Sequence, residues 1–343
     1  MIDVMFNYPY CCYRTKAIRF RCNCHARVYP KKVGRLKNIL VIRLGALGDL
    51  VFCFKAFSDI RRAHPDAKIA LLVRGQFADF ARAMPWFDKI IIDNHPSFTE
   101  MGEWLRQRKE IKNFAPDIVY DLQGKRRQSI LYALLGGSLG VAWSGAAPFC
   151  KYPRPWPPKP DMSFANFLAA QLRAAKVPDM GKPDTGWLDA PTDKFNLTEK
   201  FVVLIPGCSP NAAHKRWPSA SYAKLARLFE NDGIKCVVVG ADADRDAIED
   251  IKSDAPNVID LCGKTTLFEL AGIARKSLGC VGNDTGPTHI SASVGATTLA
   301  LFCGRSNTKW SAPPGDNSLV LQKENLGDLD VHDVFRAFAA LRK

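Results

Sequence analysis

The stretch VGNDTGPTHISASVGATTLALF (Val281–Phe302) gathers a carboxamide, a carboxylate, two hydroxyls, a glycine, a proline and a histidine into the seven residues from Asn283 to His289. A short apolar run precedes them and a small-residue helical pattern follows, so they sit where a strand gives way to a helix. Pro287 suits a first helical turn. The unpaired N–H groups of such a turn, with the positive end of the helix dipole, form an anion site. Asp284 and Thr285 are placed to cap the turn, and Gly286 lets a ligand approach the backbone. Ala292, Ser293, Gly295 and Ala296 are small enough for tight packing. An ordinary capped helix with a buried, hydrogen-bonded His289 fits the same residues.

Two other stretches carry comparable groups. In IRLGALGDL, Gly45 and Gly48 are spaced G-x-x-G, and no acidic residue closes a following strand at the dinucleotide distance. That pattern excludes the dinucleotide fingerprint. Asp49 falls at the start of the first helix, where a carboxylate can take a proton from a substrate hydroxyl or simply cap the helix. In PGCSPNAAHKRWPSASY, Gly207 and Ser209 follow a strand, and Lys215 and Arg216 precede a helix. Cations there would neutralise a phosphate, or remain solvated charges.

The elements that must position these groups alternate. NILVIRL (residues 38–44) is a buried parallel strand by its unbroken apolar run. It is followed by a glycine turn, an amphipathic helix over VFCFKAFSDIRRAHP, the strands KIALLV, DKIIID and DIVYDLQG, and the helices between them. Residues 147–162 hold six prolines and read as an extended loop. The rhythm restarts at KFVVLIPG (residues 200–207), with a helix over SASYAKLARLFEND capped by Ser219 or Ser221 and ended by Gly233. Strand–helix alternation implies βαβ units and a parallel sheet. The expected organisation is a basic extension (1–37), a first Rossmann-like domain (38–180), a polar linker (181–199), a second Rossmann-like domain (200–326) and a terminal helix (327–343).

The chain's 343 residues suit two domains, and 47% apolar content suits packed cores. A net charge of +14 points to an anionic partner: nucleic acid, a membrane surface or a phosphorylated substrate. Residues 1–37 carry nine Lys and Arg against Asp3 alone, interleaved with aromatics. They read as a disordered or upstream-translated extension, or as an arm for an anionic membrane. Cys53, Cys208, Cys236, Cys262, Cys280 and Cys303 lie in apolar segments, the pattern of buried free thiols in a reducing compartment. Cys22, Cys24 and His25 lack a second pair at zinc spacing, so no metal site is expected. Residues 131–150 are uncharged but hold four glycines and a proline, and read as a helix end, a turn and a strand rather than a membrane span. No signal peptide is expected.

RLGALGDL, DLQG (residues 121–124), PGCSPNAAHKRWP, LCGKTTLFELAGIARKS and NDTGPTHISASVG, in that order over residues 38–343, together resemble glycosyltransferase family 9, the lipopolysaccharide heptosyltransferases. The resemblance implies a GT-B fold with an N-terminal acceptor domain and a C-terminal sugar-nucleotide domain, the last helix crossing back onto the first. It implies inverting transfer from a donor such as ADP-heptose to an anionic, lipid A-linked core acceptor, with no metal or other cofactor required. The place of action would be the cytoplasmic face of a Gram-negative inner membrane, peripherally bound. Asp49 matches the family's proposed general base, and Lys215 its diphosphate-holding cation. Thr285 and Gly286 would meet the same phosphates, with Asp284, Pro287 and His289 in the cradle. Gly207 and Ser209 would lie beside it, Asp244 on the ribose, and Thr265 and Thr266 at the base. Gly48, Gln123, Lys125, Arg126 and Arg127 are the acceptor-side candidates. One departure is the first turn, which carries glycine and alanine where the family's enzymes tend to carry hydroxyl residues. The alternatives are another nucleotide sugar, a GT-B sugar-nucleotide epimerase, which needs no basic acceptor face, and a basic nucleic-acid-binding protein. The last is disfavoured because no nucleic-acid-binding motif is present.

Overall fold

The computed structural model describes residues 36–94, 96–97, 99–123, 141–147, 150–155 and 161–342. The expectations for the N-terminal arm, its cysteines, the uncharged segment around residues 131–140, and Lys125, Arg126 and Arg127 lie outside the described residues. The first sheet holds β1 (Asn38–Ile42), β2 (Lys68–Arg74), β3 (Lys89–Asp93), β4 (Ile118–Asp121), β5 (Ala142–Gly145) and β6 (Tyr152–Pro153). Their spatial order is β3-β2-β1-β4-β5-β6, with every pair parallel. The second sheet holds β7 (Phe201–Ile205), β8 (Lys235–Val238), β9 (Ile259–Asp260), β10 (Cys280–Asn283), β11 (Thr298–Cys303) and β12 (Ser318–Lys323). Its order is β12-β11-β10-β7-β8-β9, also parallel throughout. Counted within each half, both orders are the same doubly wound 3-2-1-4-5-6 arrangement. Each half therefore has one switch point, between β1 and β4 and between β7 and β10, where a ligand crevice opens at the strands' carboxyl ends.

The strands form because their runs are apolar on both faces. Ile39, Val41 and Ile42 are fully buried, as are Val202, Val203 and Leu204. Around the first sheet lie α1 (Leu47–Val51), α2 (Phe54–Ala63), α3 (Ala78–Arg82), α4 (Met101–Phe114) and α5 (Phe164–Ala174). Around the second lie α6 (Ser219–Asn231), α7 (Arg245–Asp254), α8 (Leu267–Lys276), α9 (Gly286–Ser293), α10 (Thr308–Ser311) and α11 (Val331–Leu341). Leu36–Lys343 forms one compact unit, with apolar packing continuous from Phe57 and Trp86 to Ile273 and Ile290.

Several expectations change. The single helix after β1 is two, broken between Val51 and Phe54. The polar linker 181–199 packs against the core: Leu188 is fully buried, and the Trp187 ring lies 5.5–6.2 Å from those of Phe54, Phe80, Trp86 and Phe268. The proline-rich loop contributes β6, which pairs with β5. Strand β12 has half its residues exposed, so it lacks the apolar run that marks the inner strands. Helix α6 starts at Ser219 with Pro218 as its cap residue, and neither serine caps it. The last helix does not spend its apolar face on the first half: Phe335 and Phe338 pack on Phe229 of α6, and Val334 and Phe338 are buried in the second half's core. No described helix is long and apolar enough to cross a membrane. The six buried cysteines expected from the sequence are free thiols.

Candidate active site

Helix α1 leaves β1 at the first switch point and carries Asp49 in its first turn. The carboxylate is held from behind. Its Oδ2 accepts the Ala46 backbone N–H at 2.8 Å, and its Oδ1 accepts from Arg43 at 2.6 Å. Arg43 itself is 3% exposed and donates to the Leu122 carbonyl, just past β4, at 2.6 Å. Its guanidinium stacks on the Phe164 ring, 4.7 Å from the centroid. The Asp49 side chain stays 42% exposed, so lone pairs remain for a substrate hydroxyl.

Past β4, Gln123 is buried. Its backbone N–H reaches Asp121 at 3.0 Å, and its side-chain amide nitrogen has no partner among the described residues. Arg154, 4% exposed, donates to the carbonyls of Asp121 and Gln123 and to Gln171 at 2.6 Å. Two buried arginines thus fix the end of β4: Arg43 binds one carbonyl and Arg154 binds those on either side of it. Neither has a role that its place in the sequence declares. A cation closing the apolar run NILVIRL was the available signal, because a buried guanidinium must find acceptors.

At the second switch point, Asp284 follows β10. It does not cap α9; nor does Thr285, whose side chain makes no cap hydrogen bond. Asp284 Oδ2 instead pairs with Lys215 Nζ at 2.6 Å and accepts from Ser306 at 3.1 Å, while Oδ1 lies 3.2 Å from His289 Nε2. Burial pushes its carboxyl up, but the His289 and Lys215 hydrogen bonds and the Lys215 charge outweigh this and hold it below its ordinary 3.8. A depressed carboxyl stabilises the fold above its unfolded value and loses that contribution as pH falls through the folded one. Urea unfolding at pH 6 and at pH 3 should therefore show a steeper acid loss in the parent than in Asp284→Asn; equal losses would contradict the pairing.

His289 is buried behind Asp284, its ring 4.6 Å from that of Phe52. Asn283 is structural: its oxygen accepts from Trp217 N–H and Tyr222 O–H at 3.1 Å, and its amide donates to Pro206 O at 2.7 Å. The two switch points touch. A methyl group at Gly48 would lie 2.9 Å from His289 Cδ2, and one at Gly286 would lie 2.8 Å from the Leu47 side chain. Only glycines let α1 and α9 come this close. Asp49's helix therefore contacts His289, which contacts Asp284, which contacts Lys215.

Beside this junction is a cavity of about 410 Å³ at the ends of β7 and β8. Gly207, Asp244, Thr265, Thr266, Thr285 and Pro287 line it, together with Cys208, Asp242 and Leu270. The volume and the mix of apolar and polar groups suit a nucleoside. Asp244 accepts the Ala241 N–H at 3.1 Å and sits 3.5 Å from Arg216. The Thr266 hydroxyl accepts Glu269 N–H at 3.2 Å as the cap of α8, so part of its capacity is used locally. Ser209 is exposed at the start of the short 3₁₀ stretch Pro210–Lys215, which delivers Lys215 to Asp284. Lys215, Asp284, Gly286 and His289 lie at the junction rather than in the cavity wall. No cluster of three metal-ligating side chains occurs among the described residues.

Two doubly wound halves whose switch points face one another define a GT-B fold. Residues 104–330 match glycosyltransferase family 9 (heptosyltransferase), and the chain belongs to that family. It is 30% identical over 319 residues to lipooligosaccharide heptosyltransferase 2 of Haemophilus influenzae, covering 83% of this chain and 88% of that protein. Among solved structures, a family 9 glycosyltransferase of Veillonella parvula aligns with a TM-score of 0.75 at 21% identity, covering 89% of this chain and 97% of that one. The E. coli heptosyltransferase WaaC, solved with ADP, aligns with a TM-score of 0.71 at 17% identity over 89% and 99%.

Proposed function

We propose that the chain transfers a heptose from ADP-heptose to a lipid A-linked core acceptor, with inversion at the anomeric carbon. The observation that carries this reading is the juxtaposition of Asp49, at one switch point, with the Lys215–Asp284 pair at the other, beside a nucleoside-sized cavity. The H. influenzae relative is named a lipooligosaccharide heptosyltransferase, and the E. coli neighbour was solved with ADP.

In this reading the adenosine fills the cavity, with Asp244 on the ribose and Thr265 and Thr266 at the base. Lys215 and the N-terminal turn of α9, at Thr285, Gly286 and Pro287, meet the diphosphate. The acceptor oxygen forms its bond to the anomeric carbon from the face opposite the diphosphate. Asp49 takes the hydroxyl proton, and the anomeric C–O bond to the diphosphate breaks. ADP leaves carrying the electron pair, its growing charge met by Lys215 and the backbone N–H groups. Because Lys215 supplies that positive charge, the reading assigns no metal to the leaving group. Gly48 and Gln123 border the acceptor. The acceptor's lipid places the enzyme peripherally on the cytoplasmic face of an inner membrane.

Titration calorimetry of the full chain with ADP, UDP and GDP tests the donor. Selective ADP binding is expected. Preference for UDP or GDP would reassign the donor, and no nucleotide binding would overturn the site.

Arg43 is a positioning residue in the same reading: it fixes one Asp49 oxygen so that the other faces the acceptor. A hydrogen bond to a charged group contributes roughly 1.5–3 kcal/mol, or about 10–100-fold in rate. Arg43→Lys should lower kcat by about that factor while ADP affinity and the acceptor KM stay at the parent's values. A purely structural role would instead raise KM and weaken ADP binding along with the loss of rate.

A further inference from the structure

The two most exposed large apolar side chains among the described residues, Met101 (59%) and Leu105 (58%), lie one turn apart on α4. The helix buries Gln107, Ile111 and Phe114 against the first sheet. At 100° per residue, the face away from these carries Met101, Leu105, Lys109 and Lys112, all exposed. Trp104 is half-buried at its edge. The helix's acids stand on a separate flank, where they are already paired: Arg106 with Glu103 at 3.0 Å, and Lys89 with Glu110 at 3.4 Å. The outer face thus presents two apolar side chains followed by two lysines, with no carboxylate between them.

Its placement is informative. Near the start of α4, Glu103 binds Asn94 and Gln107 binds Asp93, both at the carboxyl end of β3. At the helix's end, the Phe114 carbonyl binds Asn38, the first residue of β1. Met101 and Leu105 therefore stand at the carboxyl-end rim of the first sheet, the edge from which Asp49 opens.

We propose that this face of α4 docks the protein on an anionic lipid bilayer, Met101 and Leu105 entering the interface while Lys109 and Lys112 meet the headgroups. Charge complementarity selects the occupant, since apolar side chains flanked only by cations match acyl chains beneath phosphates. The docking rests on the proposed function to the extent that a lipid-linked acceptor lies in such a surface, and it brings the acceptor edge of the cleft to the membrane.

Sedimentation of the full chain with phosphatidylglycerol-containing vesicles, against pure phosphatidylcholine, tests it. The parent should partition preferentially to the anionic vesicles. Met101→Ser/Leu105→Ser should weaken that partition about tenfold, and Lys109→Glu/Lys112→Glu by about the same. ADP binding by calorimetry, unchanged in both variants, reports folding and donor recognition separately, so failure of the heptosyl reading would leave the vesicle result standing. Partition unchanged in both variants would overturn the proposal. Self-association of the parent that both variants abolish, without vesicle binding, would overturn it in favour of a second copy of the chain.

Discussion

Asp49→Asn is expected to lower turnover by about 10²–10⁴-fold, the usual contribution of a positioned general base, while ADP affinity stays unchanged. Asparagine keeps the shape, and its oxygen can still accept from Arg43 or from Ala46 N–H, the two contacts that hold Asp49 now. What it cannot do is accept a proton. In the proposed reading the donor groups lie in the other half, so calorimetric ADP affinity should not follow the rate. Near-normal release of ADP from ADP-heptose in the presence of acceptor would remove Asp49 from the chemistry. The turn before it, with Gly45 and Ala46, offers no hydroxyl to take over the proton.

The second large effect is expected at Lys215. Its ammonium lies 2.6 Å from Asp284 Oδ2, and the Asp284 side chain is only 7% exposed. Lys215→Ala removes the cation that the proposed reading sets against the diphosphate, and it leaves Asp284 without its lysine partner. Truncating one partner of a close charge pair costs roughly 2–5 kcal/mol, and partial exposure of Lys215 places this site at the lower end. ADP should bind at least tenfold more weakly, and transfer should fall with it. Adding Asp284→Asn to Lys215→Ala should restore part of the affinity, because the stranded carboxylate is gone. ADP affinity equal to the parent's in Lys215→Ala would place the diphosphate elsewhere.

Much of the architecture was legible because inner parallel strands are apolar on both faces: NILVIRL, KFVVLIPG and LGCVGN each mark a strand and the turn after it. Strand β12 escaped because it lies at a sheet edge with exposed residues. Strand β6 escaped because Pro153 sits in a two-residue edge strand, a position where proline is tolerated. The residues of the junction were legible one at a time, but their contacts were not. Asp284 and Thr285 look like helix caps by local rules, whereas a lysine 69 positions away claims the aspartate. Arg43 carries no local signal beyond its charge in an apolar run, since its partners come from α1 and from the residue just past β4. The direction of α11 was likewise invisible, because an amphipathic helix declares an apolar face but not which core receives it.

The most direct test of the central claim is mass spectrometry of products after incubating the full chain with ADP-heptose and a lipid A-linked core acceptor lacking heptose. The expected result is one heptose added per acceptor, released ADP in equal amount, and a linkage of inverted anomeric configuration by NMR. Release of ADP without a glycosylated acceptor, or retention of the donor's anomeric configuration, would contradict single displacement with Asp49 as base.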